Sequence, residues 1–242
     1  MELLLVRHGE STANVAREQA ELDGSDVIAV EARDADVSLS DLGRRQSAAL
    51  GHWLGTHPDL WPQAVWCSPY ARARETAAAL LSAAERAIPL RVDERLRDKE
   101  LGILDTLTAR GVRNRFPQED MRRRRLGKFY YRPPGGESWA DVALRARSVL
   151  ADIERLHTGR VLVVTHDAVI MLIRYVCEQL DETAVLDLAR SNPIGNTALT
   201  CLIRSADRWQ VREFNAQDHL LVDGQDLRTL HPADEHFHSE AR

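Results

Sequence analysis

Leu3-Leu4-Leu5-Val6-Arg7-His8 and Val161-Leu162-Val163-Val164-Thr165-His166 decide how this chain folds. Each is a run of aliphatic residues that ends on a histidine. A strand with one wet face alternates apolar and polar side chains, whereas a strand covered on both faces need not. Both runs therefore read as buried strands, and each delivers a histidine to the loop beyond it. Short apolar runs at residues 64–67, 88–92 and 198–203 read as strands too, and residues 209–214 add another near the end.

Helical patterns lie between these runs. Ser40-Asp41-Leu42 opens one, with Leu42, Gln46, Ala49, Leu50, Trp53 and Leu54 on a helical repeat. Ser68-Pro69 predicts another start, an N-cap residue followed by proline at the first helical position. The clearest begins at Ser138, which forms a capping-box pattern with Asp141. Its apolar positions Trp139, Val142, Ala146, Val149, Leu150, Ile153 and Leu156 keep the three-and-four spacing. Strands alternating with helices predict an α/β fold of three layers: a mostly parallel central sheet, helices on both faces, and a small inserted cap. Ligands of such sheets bind beyond the carboxyl ends of the strands, where His8 and His166 are expected.

The 242 residues suffice for one core with a small cap, and residues 1–215 read as a single domain. A basic insert occupies about residues 106–134. Residues 110–132 hold nine basic side chains against Glu119 and Asp120, including Arg122-Arg123-Arg124-Arg125, followed by Phe129-Tyr130-Tyr131. Such an arginine run is more often a solvated or inter-subunit face than a substrate contact. Residues 216–242 form a polar tail expected to be loose toward its end. Its His219, His231, His236 and His238 are too scattered for a metal site.

At 44% hydrophobic and 29% charged, the chain is globular in composition, and its net charge of −5 argues against general nucleic-acid binding. No apolar run approaches the roughly 18 residues that span a bilayer. The opening residues lack a basic segment and a small-residue cleavage site, so they read as a strand and not as a signal peptide. Cys67, Cys177 and Cys201 have no metal spacing; three reduced, buried thiols in a cytoplasmic protein are expected.

A single histidine on a strand-end loop usually does no more than cap a backbone group. Here two strand ends would bring two histidines to one crevice, and a third supplies Ser68-Pro69-Tyr70-Ala71-Arg72. Arg72 falls in the first turn of the next helix, where free N–H groups and the helix dipole favour an anion. With Arg7, two guanidinium forks and two imidazoles converge. Guanidinium matches phosphate oxygens as lysine does not, so a phosphoryl group is the expected ligand.

Arg7-His8-Gly9, the helix start Leu39-Ser40-Asp41-Leu42-Gly43-Arg44-Arg45-Gln46, the segment from Ser68 to Ala77, and Thr165-His166 follow one another in order. That ordered set resembles the histidine phosphatase superfamily, also called phosphoglycerate mutase-like, over about residues 3–204. The resemblance implies that His8 attacks phosphorus and carries the phosphoryl group, which water then releases. Arg7, Arg72 and His166 would hold its oxygens. Ser11 and Asn14 match further phosphate contacts of the family, although a turn and helix cap explains them nearly as well. The family needs no metal or other cofactor, and none is expected here.

The family's proton donor is often a glutamate four residues before a glycine. In Arg95-Leu96-Arg97-Asp98-Lys99-Glu100-Leu101-Gly102 that spacing selects Asp98, with Glu100 as the rival. Asp167 stands where the family usually has glycine, and either points away from the pocket, orients His166 or caps a helix. Glu137, in Gly135-Gly136-Glu137-Ser138, matches a segment at the pocket rim.

A phosphatase acting on a small phosphomonoester is the expected function. The rival is a phosphoglycerate-type mutase, but its Phe-Thr-Gly-Trp segment is missing from the acidic residues 21–36. A non-catalytic phospholigand sensor is disfavoured because all four pocket residues are present. The expected partner is a small phosphorylated substrate, with no nucleic acid and no membrane. The oligomeric state stays open, a homodimer among the options.

Overall fold

The computed structural model describes residues 1–206 and 208–231. Strands β1 (Glu2–Arg7), β2 (Ala64–Cys67), β3 (Leu90–Val92), β4 (Arg160–Thr165), β5 (Leu199–Ser205) and β6 (Arg208–Ala216) form a sheet in the order β3-β2-β4-β1-β5-β6. The first four strands are parallel, whereas β5 runs antiparallel to β1 and β6 antiparallel to β5. The helices are α1 (Thr12–Leu22), α2 (Asp41–Thr56), α3 (Ala71–Ala83), α4 (Ala109–Arg115), α5 (Pro117–Leu126), α6 (Trp139–Leu156), α7 (Asp167–Glu178) and α8 (Glu182–Ser191).

Both faces of the two central strands are core, which explains their lack of alternation. Leu3, Leu5, Val161 and Val163 pack with buried residues of α6 and α7, while Leu4, Val6, Leu162 and Val164 pack with those of α2 and α3. Truncating one of these leucines, Leu5→Ala for example, would cost about 2–5 kcal/mol. The helix starts at Ser40 and Ser138 are as expected: Ser40 Oγ accepts from Gly43 N, and Ser138 and Asp141 complete a capping box.

Two expectations need correction. The third helix begins at Ala71 and not at Pro69; its N-cap Tyr70 is extended and makes no side-chain cap bond. The Ser68 hydroxyl instead lies 2.8 Å from His166 Nε2. The strand expected over residues 88–92 is shortened to β3, all three of whose residues are exposed. It lies at the sheet edge, where among the described residues it pairs with β2.

The basic insert folds as α4 and α5 around a small core of Leu104, Leu107, Val112 and Tyr131. It leans on the irregular residues that follow α1, since Val27 bridges Leu107 and the Thr108 hydroxyl donates to Ser25 O. Residues 217–231 lie against α2, with Leu220 and Leu227 buried on Ala49. The remainder of the polar tail, with His236 and His238, falls outside the described residues.

Candidate active site

The register of β1 on β4 builds the site. Arg7 pairs with Thr165, so His8 and His166 leave the sheet side by side, with ring centroids 5.1 Å apart. His8 N still donates to Thr165 O at 2.9 Å. The loop is then pinned by a close crossing over the start of α2. A Cβ on Gly43 would stand 2.0 Å from Glu10 O, and one on Gly9 would stand 2.5 Å from Gly43 O. Only glycine fits at either position.

His8 is almost fully buried, and its Nδ1 lies 2.7 Å from Gly9 O. A carbonyl can only accept, so that contact assigns the proton to Nδ1 and leaves the Nε2 lone pair facing the cleft. Nε2 accepts from Arg72 Nε at 3.2 Å. Burial, then the charges of Arg72, His166 and Arg7, hold His8 well below the ordinary imidazole range. The ring is therefore neutral at pH 7, with its free nitrogen toward the cation.

Arg72 is the hub. Besides His8 it donates from Nη1 to Asp34 O at 2.6 Å and Asp34 Oδ1 at 2.9 Å. From Nη2 it reaches Asp34 Oδ2 at 3.3 Å and Asp98 Oδ2 at 3.0 Å. Burial works against the Arg72 charge, but Asp34 and Asp98 outweigh it and raise its pKa. Arg7 Nη1 donates to Ile194 O and Nη2 to His231 O, while its buried Nε has no hydrogen-bond partner. Burial lowers its pKa, opposed by Asp167 and Asp98.

His166 is buried as the N-cap of α7, with Nε2 on the Ser68 hydroxyl. Its Nδ1 is 3.2 Å from Asp98 Oδ2, within ion-pair range but without an aligned hydrogen bond. Burial lowers the His166 pKa and Asp98 opposes the shift. Burial would favour a neutral Asp98, yet His166, Arg72 and His8 prevail and keep its carboxyl well below the usual range. Asp98 therefore faces the site as an anion. Glu100, its rival, is not among the residues that line the cleft and accepts from Tyr70 OH at 2.7 Å.

Ser11 and Asn14 close a capping box on α1 and also line the cleft. The cleft, open mouth included, encloses about 680 Å³. Arg17, Asp34, Lys99, Asp105 and Asp167 also line it. Among the lining residues none comes from Arg122-Arg123-Arg124-Arg125. There Arg122 pairs with Glu119 and Arg124 with Asp120, within α5 itself.

The sequence profile of the "Histidine phosphatase superfamily (branch 1)" matches residues 3–217. The chain belongs to this superfamily. The chicken (Gallus gallus) 6-phosphofructo-2-kinase/fructose-2,6-bisphosphatase is 29% identical over 181 residues, 74% of this chain and 33% of that protein. The fructose-2,6-bisphosphatase of Saccharomyces cerevisiae is 29% identical over 171 residues, 70% of this chain and 32% of that protein. The chain thus spans about a third of the length of these curated relatives. Among solved structures, a mycobacterial glucosyl-3-phosphoglycerate phosphatase in complex with VO3 superposes with a TM-score of 0.71 at 27% identity, covering 89% of this chain and 98% of that one. The alpha-ribazole phosphatase of Shigella flexneri shares the fold, with a TM-score of 0.73 at 21% identity over 90% of this chain and 97% of that one.

Three features of this site were not visible in the sequence. Asp34 sits on Arg72. Glu10, buried in the loop after β1, binds the Ser40 hydroxyl at 2.6 Å and His231 Nε2 at 3.0 Å, so the C-terminal segment reaches the site. Arg145, from the polar side of α6, grips the loop that carries Asp98. Its Nη1 donates to Arg95 O and Arg97 O at 2.8 Å each, and its Nη2 to Asp98 O at 3.0 Å. The same guanidinium forks onto Glu137 with two bonds of 3.0 Å, and Arg97 and the Glu100 amide complete the carboxylate's shell.

His8, Asp98 and His166 also bring three ligand-type atoms within 4.8 Å of one another. A cation there would meet Arg72, which already donates to His8 Nε2 and Asp98 Oδ2, two of the atoms a metal would need. The donor set fits an anion held by cations better than a metal.

Proposed function

We propose that the chain is a phosphatase that hydrolyses a small phosphomonoester through a phosphohistidine on His8. The observation that carries this reading is the orientation of the His8 ring. Its Nδ1 hydrogen is spent on Gly9 O, and its Nε2 lone pair lies beside the Arg72 guanidinium. An imidazole fixed in that tautomer is a ready nucleophile, and the cation beside it attracts the group to be attacked.

In the first step Nε2 forms a bond to phosphorus while the bond to the substrate oxygen breaks. Arg7, Arg72 and His166 stabilise the charge on the equatorial oxygens, the dominant contribution in phosphoryl transfer. The departing alkoxide takes a proton from Asp98. The groups around Asp98 hold it as an anion, so its acid form has to be created by the phosphoryl dianion of the substrate, which draws on Arg72 and raises the carboxyl pKa. In the second step Asp98 accepts a proton from water, the oxygen attacks phosphorus, and phosphate leaves with His8 restored. Ser11 and Asn14 line the cleft where they would bind phosphate oxygens.

The Arg7 and Arg72 guanidinium groups supply the positive charge that a divalent cation supplies elsewhere, so the proposed reaction needs no metal. Sugar phosphates and phosphoglycerates are the substrate classes to try first, because the named relatives act on compounds of those kinds. A cytoplasmic setting accords with three buried free thiols, and no helix among the described residues is long and apolar enough to cross a membrane. A phosphate-release screen over sugar phosphates, glycerates, nucleotides and phosphopeptides, without a bisphosphoglycerate primer, tests the reaction. His8→Ala should abolish turnover, and wild-type enzyme quenched during turnover should carry an acid-labile, base-stable adduct on His8. An adduct on another residue, or near-normal activity of His8→Ala, would refute the mechanism.

A further inference from the structure

We propose that Asp34 is a tethered competitor for the phosphoryl group: in the resting enzyme its carboxylate occupies the Arg72 guanidinium, and the substrate binds by displacing it. This rests on the phosphatase reading of the site. A guanidinium has five N–H donors. In Arg72 one goes to His8 Nε2, two go to Asp34 O and Oδ1, and two go to Asp34 Oδ2 and Asp98 Oδ2. Every donor is in use. A phosphoryl group arriving at His8 Nε2 gains nothing from Arg72 until one of these partners lets go.

The two carboxylates are not held alike. Asp98 contacts His166, and its backbone carbonyl is gripped by Arg145, itself locked onto Glu137. Asp34 begins a single 3-10 turn (Asp34–Asp36) within the irregular stretch between α1 and α2, and the N-cap of that turn makes no side-chain bond. Its side chain is 36% exposed, against 23% for Asp98. Burial pushes the Asp34 carboxyl up while Arg72 pulls it down, so two acids already share one cation. A phosphoryl dianion adds a third negative group to the same guanidinium. The weakly anchored acid is the one that leaves, and a carboxylate on a guanidinium fork is a fair mimic of two phosphoryl oxygens.

The consequence is a lowered apparent affinity for any phosphorylated ligand, product included. An apparent dissociation constant rises in inverse proportion to the open fraction. If the closed arrangement is about ten times as populated as the open one, phosphate binds about tenfold more weakly than the bare site allows. After hydrolysis the returning Asp34 helps to expel the product.

Inorganic phosphate is the probe, its binding to the full chain measured by calorimetry and its inhibition constant against aryl phosphate hydrolysis. Asp34→Asn and Asp34→Ala should each tighten both by about tenfold. Damage to the site would weaken them instead, so unchanged or weaker phosphate binding in both variants overturns the proposal. A structure with phosphate or vanadate bound at His8 must also show the Asp34 carboxylate off Arg72. An intact pair beside the bound anion overturns it as well, and separates displacement from simple removal of a nearby charge. Failure of the phosphatase reading has a different signature: no phosphate binding by wild type or either variant, and no effect of Arg72→Ala. That result removes the inference together with its premise.

Discussion

Arg145→Met is the perturbation that most directly asks whether the Asp98 loop is held from behind. Methionine keeps an unbranched stem of similar reach and removes only the fork. Five hydrogen bonds vanish, three to the carbonyls of residues 95, 97 and 98 and two to Glu137. Both partners are largely buried, the Arg145 side chain 9% and the Glu137 side chain 14% exposed. Summing five charge-assisted bonds would overshoot, because the loop carbonyls can turn to water and Glu137 keeps Arg97 and the Glu100 amide. The cost is instead that of breaking a buried ion pair from one side, about 3–5 kcal/mol. For a domain of about 150–250 residues each kcal/mol moves Tm by about 2–4 °C, so a drop of about 6–20 °C is expected.

The kinetic consequence is more selective. Asp98 Oδ2 must stay 3.0 Å from Arg72 Nη2 and 3.2 Å from His166 Nδ1. A shift of about 1 Å costs on the order of 10²-fold in a step that depends on placement. That loss should fall on alkyl phosphates, whose alkoxide needs a proton, and largely spare p-nitrophenyl phosphate, whose phenolate leaves without one. Scanning calorimetry and kcat/KM on the two esters read both parts. In the Asp98→Asn background Arg145→Met should cost little more on the alkyl ester. Equal losses on both esters would refute the positioning role and leave Arg145 merely structural. An unchanged Tm would refute the energetic estimate.

Two further outcomes follow from the same geometry. Asp98→Asn should slow alkyl phosphate hydrolysis by roughly 10²–10⁴-fold while sparing the aryl ester, and Glu100→Gln should show little such dependence; exchanged behaviour would make Glu100 the acid. Activity should survive exhaustive dialysis against a strong chelator, since the anion site is built from guanidinium and imidazole; a loss restored specifically by magnesium or zinc would contradict this.

What the sequence disclosed about the site was local pattern. His8 and His166 each stand one residue beyond an apolar run, and Arg72 stands in the first turn of a helix that follows a third such run. Strand ends and helix starts are written in neighbouring residues, so these three could be brought together before any coordinates. Asp98 needed the spacing to Gly102 and the family likeness. Asp34 was beyond reach because its stretch has no hydrophobic period, and only the closing of that stretch over the sheet brings it to Arg72. Arg145 was passed over for the opposite reason. The three-and-four pattern of α6 marks its apolar side, and the polar side carries no mark of the loop it holds. Ser68-Pro69 looked like a helix start, yet its hydroxyl serves His166 and the helix waits for Ala71. His231, read as part of a loose tail, is buried against Glu10 and offers its carbonyl to Arg7.

Strand register does more for this chemistry than any single residue. Parallel pairing of Arg7 with Thr165 puts the next residue of each strand at one level of the sheet. Pairing of Cys67 with Val164 then sets Ser68 beside the base of His166, where its hydroxyl fixes the ring. A slip of one residue between β1 and β4 would offset the two histidines by about 3.3 Å and turn one of them to the opposite face. It would also set Leu3 and Leu5 in the places that Leu4 and Val6 fill against α2 and α3, so both close-packed sides of the strand would have to repack. Placing His8 on a loop leaves its Nε2 open to the cleft. Anchoring that loop to two doubly buried strands gives it a position set by the core, so the site inherits its geometry from residues that do not line the cleft.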